Sequence, residues 1–144
     1  MLGRWRTWCG WPKRLSFPGE ETWLSASRIS IIDDDESTRL ALAGLVRFFG
    51  FEPKTYGSAE EFLASDVGEQ PCCIISDIHM PGLSGLELKR WLDDHDRTAP
   101  VILITARSEP HILAQADISG AVCVLRKPFD AATLLASLKK AQVA

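Results

Sequence analysis

Four short apolar runs punctuate the chain: RISII at 28–32, CCIIS at 72–76, VILIT at 101–105 and AVCVL at 121–125. Each is too short for a helix buried on every side, and each carries the β-branched residues that suit a strand. The segments between them change period. ESTRLALAGLVRFFG (36–50) has Leu40, Leu42, Leu45, Val46 and Phe49 at helical spacing and ends at Gly50. FEPKTY (51–56) reads as a further strand, and SAEEFLAS (58–65) as a helix opened by a capping box of Ser58 and Glu61. SGLELKRWLDDH (84–95) opens with a second box, Ser84 and Glu87; a weaker helix runs from Pro110 to Ile118, up to Gly120; and DAATLLASLKKA (130–141) starts on Asp130 as cap. Strand and helix thus alternate five times, and the first, third, fourth and fifth strands are apolar on both faces. That pattern belongs to a parallel sheet covered by helices on each side and joined by right-handed crossovers. The predicted fold is α/β: a doubly wound five-stranded parallel sheet.

In such a sheet, ligands bind beyond the carboxyl ends of the strands, where the strand order reverses. After the first run come Asp33, Asp34 and Asp35; after the third, Asp77, followed by the breaker Met80-Pro81-Gly82; at the end of the fourth, Thr105; after the fifth, Lys127 and Pro128. With strand order 2-1-3-4-5 these loops meet at one cleft. Two carboxylates about 4 Å apart repel by roughly 4 kcal/mol at an effective dielectric near 20, so the cluster must bind protons or recruit a cation. Few hard oxygen ligands suit Mg²⁺ best, with Mn²⁺ acceptable. A metal with open positions attracts phosphate oxygens, Lys127 adds a second positive point, and the Thr105 hydroxyl a further contact. Asp77 is then placed as a nucleophile able to form an acyl phosphate.

IIDDDE, CCIISDIHMPGLSG, VILITA and LRKPF, in this order and spacing, resemble the four signatures of the response-regulator receiver domain of two-component signalling, a CheY-like, flavodoxin-like fold. The resemblance covers about 28–142. It implies Asp77 as phospho-acceptor, Asp34 as direct Mg²⁺ ligand, Asp33 through water, and the His79 backbone carbonyl as a further ligand. It implies Thr105 as the hydroxyl that moves toward the phosphoryl group, Lys127 as its cationic partner, and a cis bond to Pro128. The implied donor is a sensor histidine kinase or phosphotransfer protein. Val124 stands where such domains usually carry an aromatic ring, which leaves open how far the face made by the fourth helix, fifth strand and fifth helix responds. That face is also a candidate homodimer surface. The chain stops after the fifth helix, so a downstream target or output domain is expected outside it, whether the receiver stands alone or heads a longer regulator. His79 and Arg107, two residues after Asp77 and Thr105, are expected to set the lifetime of the phosphorylated state.

Charge narrows the partners. The chain carries −3, but residues 1–27 hold four basic and two acidic side chains, which leaves twelve basic and seventeen acidic, or −5, for 28–144. An acidic body argues against direct binding of nucleic acid or anionic lipid. No apolar stretch reaches the ~18 residues of a membrane span, and no signal peptide is evident, so the expected location is the cytoplasm. Cys72, Cys73 and Cys123 sit in apolar runs and read as buried thiols, without zinc spacing; Cys9 belongs to the leader. Residues 1–27, with four of the five tryptophans and no periodicity, read as a flexible extension or as a docking arm, and 28–144 as the domain. Asp35 and Glu36 read as helix-start acids, Trp91 as packing, and His95 and His111 as unpaired surface residues, with the His79 side chain at the site rim. The helix at Pro110 is expected to be the easiest to shift. Two rival functions remain open: a receiver-like scaffold that never accepts phosphate, and a haloacid-dehalogenase-type phosphatase, whose nucleophile would follow the first strand.

Overall fold

The computed structural model describes residues 28–65, 71–107 and 109–143; the segment 1–27, read above as an extension, lies outside them. In chain order the elements are β1 (Arg28–Ile32), α1 (Glu36–Phe48), β2 (Glu52–Tyr56), α2 (Ala59–Ser65), β3 (Cys73–Asp77), α3 (Gly85–Asp94), β4 (Val101–Thr105), α4 (Pro110–Ile118), β5 (Cys123–Arg126) and α5 (Ala131–Val143). The five strands form one parallel sheet in the order β2-β1-β3-β4-β5, as the alternation predicts.

The central strands are buried on both faces, and their side chains divide by the two-residue period of a strand. Ile29, Ile31, Cys73, Ile75, Ile102 and Ile104 face one layer, where Leu42, Ala43 and Val46 of α1 and Leu134, Leu138 and Ala141 of α5 cover them. Ile32, Ile74, Val101 and Leu103 face the other, covered by Ala59 and Phe62 of α2, Leu88 and Leu92 of α3 and Ala116 of α4. Each fully buried aliphatic side chain contributes about 1.5–3 kcal/mol, enough in aggregate to carry a cluster of buried acids at the sheet edge.

Helix starts follow the sequence signals. Asp35 caps α1 by accepting from the Ser37 amide, Ser84 and Glu87 form a reciprocal capping box on α3, and Asp130 accepts from the Thr133 amide at 2.8 Å. At α2 the box is shifted: Ser58 Oγ accepts from the Glu61 amide, but the Glu61 carboxylate reaches the Gly57 N–H instead of that of Ser58. The α4 cap residue Glu109 makes no side-chain capping bond, and the helix buries only Ala116.

Four expectations need correction. Leu40 is 60% exposed: the buried stripe of α1 is set by Leu42, Ala43 and Val46, and Leu40 lies about 115° from its centre. As an edge strand, β5 is only half covered, so Cys123 is half-buried, with Ser137 Oγ donating to its Sγ at 3.3 Å. His95 is exposed but paired, stacking on Trp91 with ring centroids 3.7 Å apart while its Nδ1 bonds the Trp91 carbonyl at 2.8 Å. His79 is treated with the site below. Among the described residues no helix is long and apolar enough to cross a membrane.

Candidate functional site

Parallel register brings the predicted residues to one edge. Ile32 pairs with Ser76, Asp77 with Ile104, and Thr105 with Arg126, so Asp33, Asp77, Thr105 and Lys127 leave four strands side by side. The ladder continues past the strands: Ile78 N–H donates to the Ile104 carbonyl and Lys127 N–H to the Thr105 carbonyl, each at 2.8 Å.

Asp33 is fully buried, and each of its polar atoms is occupied. Its N–H donates to the Tyr56 carbonyl, its carbonyl accepts from Arg39 Nη1 at 2.7 Å, its Oδ1 accepts from the Asp35 N–H at 2.9 Å, and its Oδ2 lies 3.4 Å from Lys127 Nζ. Asp34 is exposed. Carboxylate oxygens of Asp33, Asp34 and Asp77 all lie within 4.8 Å of one another.

Asp77 is 7% exposed, with Oδ2 3.6 Å from Lys127 Nζ and Oδ1 accepting from the His79 N–H at 3.3 Å. Burial, and next the charge of Asp33, raise its pKa above the ordinary carboxylate value, while Lys127 and the His79 N–H oppose the rise. The acid is thus held in a setting that penalises its charge, which a cation or a transferred group would relieve. Asp35 is different: side-chain hydrogen bonds from Thr38 and Ser37 lower its pKa, as fits a helix cap.

The loop after Asp77 is pinned from two sides. Gly85 packs on the Asp77 carbonyl and Ile78 so closely that a Cβ there would collide with backbone. Gly82, at φ +78°, sits on the carboxylate of Glu60, whose Oε2 accepts from the Leu83 N–H at 2.8 Å. This loop carries His79. Its side chain is only partly exposed, not open at the rim as expected: Nε2 is buried and, among the described residues, has no hydrogen-bond partner.

The Thr105 hydroxyl is buried and engaged with the β4–α4 connection, donating to the Arg107 carbonyl at 3.1 Å and accepting from the Arg107 N–H at 3.0 Å. The Lys127–Pro128 bond is cis, as the resemblance implies. The Arg107 side chain is exposed and pairs with Glu109 at 3.8 Å.

The donor set fits a small hard divalent cation. Three carboxylates and one ammonium leave the cluster short of positive charge, all the side-chain ligands are oxygen, and Asp34 is open to solvent. The sequence reading names every member of this cluster, but not Arg39, Glu60 or Gly85. A glycine at the first position of a helix was the available signal for Gly85; the reach of Glu60 across 23 residues had none.

The family model for the response regulator receiver domain matches residues 29–139. The chain is 37% identical over 116 residues to the response regulator protein TmoT of Ectopseudomonas mendocina, spanning 80% of this chain and 52% of that protein. It is 35% identical over 111 residues to the transcriptional regulatory protein FixJ of Azorhizobium caulinodans, spanning 77% and 53%. It therefore spans about half the length of these curated relatives. Among solved structures, FixJ-N superposes with a TM-score of 0.72 at 34% identity, covering 81% of this chain and 93% of that one. The chemotaxis protein CheY4 of Vibrio cholerae gives 0.72 at 27% identity, covering 79% and 97%.

Proposed function

The chain belongs to the response regulator receiver domain family, and from that premise we propose that Asp77 accepts a phosphoryl group from a phosphohistidine on a sensor histidine kinase or phosphotransfer protein. Membership makes it a signalling receiver of two-component response regulators. The observation that carries the site assignment is the convergence of three carboxylates within 4.8 Å, with Lys127 at 3.4 and 3.6 Å from two of them.

In the proposed step a carboxylate oxygen of Asp77 attacks phosphorus in line with the donor's P–N bond. That bond breaks, its electron pair returns to the imidazole, and an acyl phosphate forms. Mg²⁺, held by Asp33, Asp34, Asp77 and the His79 carbonyl, would neutralise charge on the phosphoryl oxygens, with Mn²⁺ as a substitute. Lys127, already beside Asp77, turns its ammonium to a phosphoryl oxygen. The Thr105 hydroxyl can donate to another only by giving up the bond it donates to the Arg107 carbonyl, which loosens the β4–α4 connection. The element that follows, α4, buries one residue and lacks a side-chain cap, so it is the cheapest to displace. Val124, half-buried against the cluster that includes Ala116, transmits this by packing and not by a ring rotamer.

His79 and Arg107 then control how water reaches the phosphoryl group, and the α4–β5–α5 face meets the downstream target, output domain or a second copy, in the cytoplasm. The phosphatase alternative is disfavoured because the candidate nucleophile follows β3, not β1. The test is intact mass after incubation with acetyl phosphate, with and without Mg²⁺, for wild type and Asp77→Ala. One added phosphoryl group, dependent on Mg²⁺ and missing from the variant, is expected. No addition to the wild type would favour the non-phosphorylated scaffold.

A further inference from the structure

The Asp34 carboxylate is exposed, and among the described residues no hydrogen bond holds it. Where it departs from the chain is therefore set by its backbone alone. The carbonyl of Asp33 and the amide of Asp34 belong to one planar peptide unit, so whatever fixes that carbonyl fixes the plane from which Asp34 departs. The group that does so is Arg39, one turn into α1, whose Nη1 donates to the Asp33 carbonyl at 2.7 Å. The guanidinium also lies against the β2–α2 turn at Gly57, where a Cβ would touch Nη1 at 3.7 Å. The other ties on Asp33 act elsewhere: its N–H is held by β2, and its carboxylate by the Asp35 amide and Lys127.

We propose that Arg39 is a positioning residue for the acidic pair, clamping the Asp33–Asp34 peptide so that the Asp34 carboxylate is presented to the cation shared with Asp33 and Asp77. The role rests on the phospho-acceptor reading above, and it has an unusual sign. A cation near a divalent-ion site repels that ion, so if Arg39 acted by charge alone its removal would tighten Mg²⁺ binding. A positioning role predicts the opposite.

The experiment is calorimetric Mg²⁺ titration of the full chain for wild type, R39M, R39Q and R39K, alongside amide hydrogen exchange in Mg²⁺-free protein. R39M, which has no donor, and R39Q, whose amide nitrogen stops two bonds short of the Arg39 Nη1 position, should bind Mg²⁺ about tenfold more weakly, the size of effect usual for groups that orient metal ligands, and R39K, whose ammonium reaches farther, should recover most of the loss. Exchange at the Asp35 N–H should quicken in R39M and R39Q while core strand amides stay protected. If R39M is too unstable to titrate, R39Q decides on the same criterion. Unchanged or tighter binding in R39Q overturns the positioning role and leaves the phospho-acceptor reading standing. A wild type that binds no Mg²⁺ overturns that reading, and the Arg39 role with it.

Discussion

Replacing Asp77 by Asn is expected to stabilise the metal-free protein. Carboxylate oxygens of Asp33 and Asp34 lie within 4.8 Å of Asp77, and at an effective dielectric near 20 each such pair repels by about 3.5 kcal/mol. Lys127 at 3.6 Å returns about 4.6 kcal/mol on the same scale. Asp34 is exposed and its share is screened well below that figure, so the Coulomb contributions nearly cancel. Burial, the largest cause raising the Asp77 pKa, then decides the balance against the charged acid. An incompletely compensated buried polar group costs about 1–3 kcal/mol, and removing only the charge should regain about 1–2. For a domain of this size that is a rise in Tm of about 3–6 °C.

The pH dependence has a definite sign. A carboxylate whose folded pKa is raised penalises folding above that pKa, and the penalty disappears below the ordinary value near 3.8, where both folded and unfolded forms are protonated. The advantage of Asp77→Asn should therefore be largest above the raised pKa, shrink as pH falls through it, and vanish in acid. Calorimetric melts in EDTA at several pH values measure it. Adding Mg²⁺ should raise the wild-type Tm more than that of the variant. A variant that melts at or below the wild type at pH 7.5, or a gain that grows on acidification, would refute the reasoning.

Lys127→Met removes the ammonium from two buried carboxylates and should destabilise the metal-free protein by about 3 kcal/mol at pH 7.5; urea melts should show the deficit shrinking on acidification, and a full-sized deficit at pH 4 would count against it. Gly85→Ala places a Cβ against the Asp77 carbonyl and the Ile78 Cα, which only a shift of α3 or of the facing loop can relieve. Its expected cost is about 1–3 kcal/mol in chemical denaturation, together with weaker Mg²⁺ binding; a neutral result would mean that the loop yields freely.

Much of this is legible in the sequence because strand ends and helix caps are local. The apolar runs fix both the sheet and the edge at which Asp33, Asp77, Thr105 and Lys127 emerge, and Ser84, with Glu87 three residues later, marks the start of α3. What stayed hidden depends on contacts between distant segments. Leu40 counts as apolar in any periodic reading, but only the direction of the α1 stripe reveals that it faces water. The buried Nε2 of His79 depends on the path of the loop after Asp77, and the His95–Trp91 stack joins side chains one turn apart at the end of α3. Composition could not foresee that the Thr105 hydroxyl is tied to Arg107.

The central claim is that four strand ends form one cation-dependent phosphoryl site. Amide chemical shifts during titration with beryllofluoride, a phosphoryl mimic, test it most directly. With Mg²⁺ present, Asp34, Asp77, His79, Thr105, Arg107 and Lys127 should shift together with a single binding constant, and without Mg²⁺ or in Asp77→Asn they should not move. Shifts confined to one strand end, or equally large without the cation, would contradict the account.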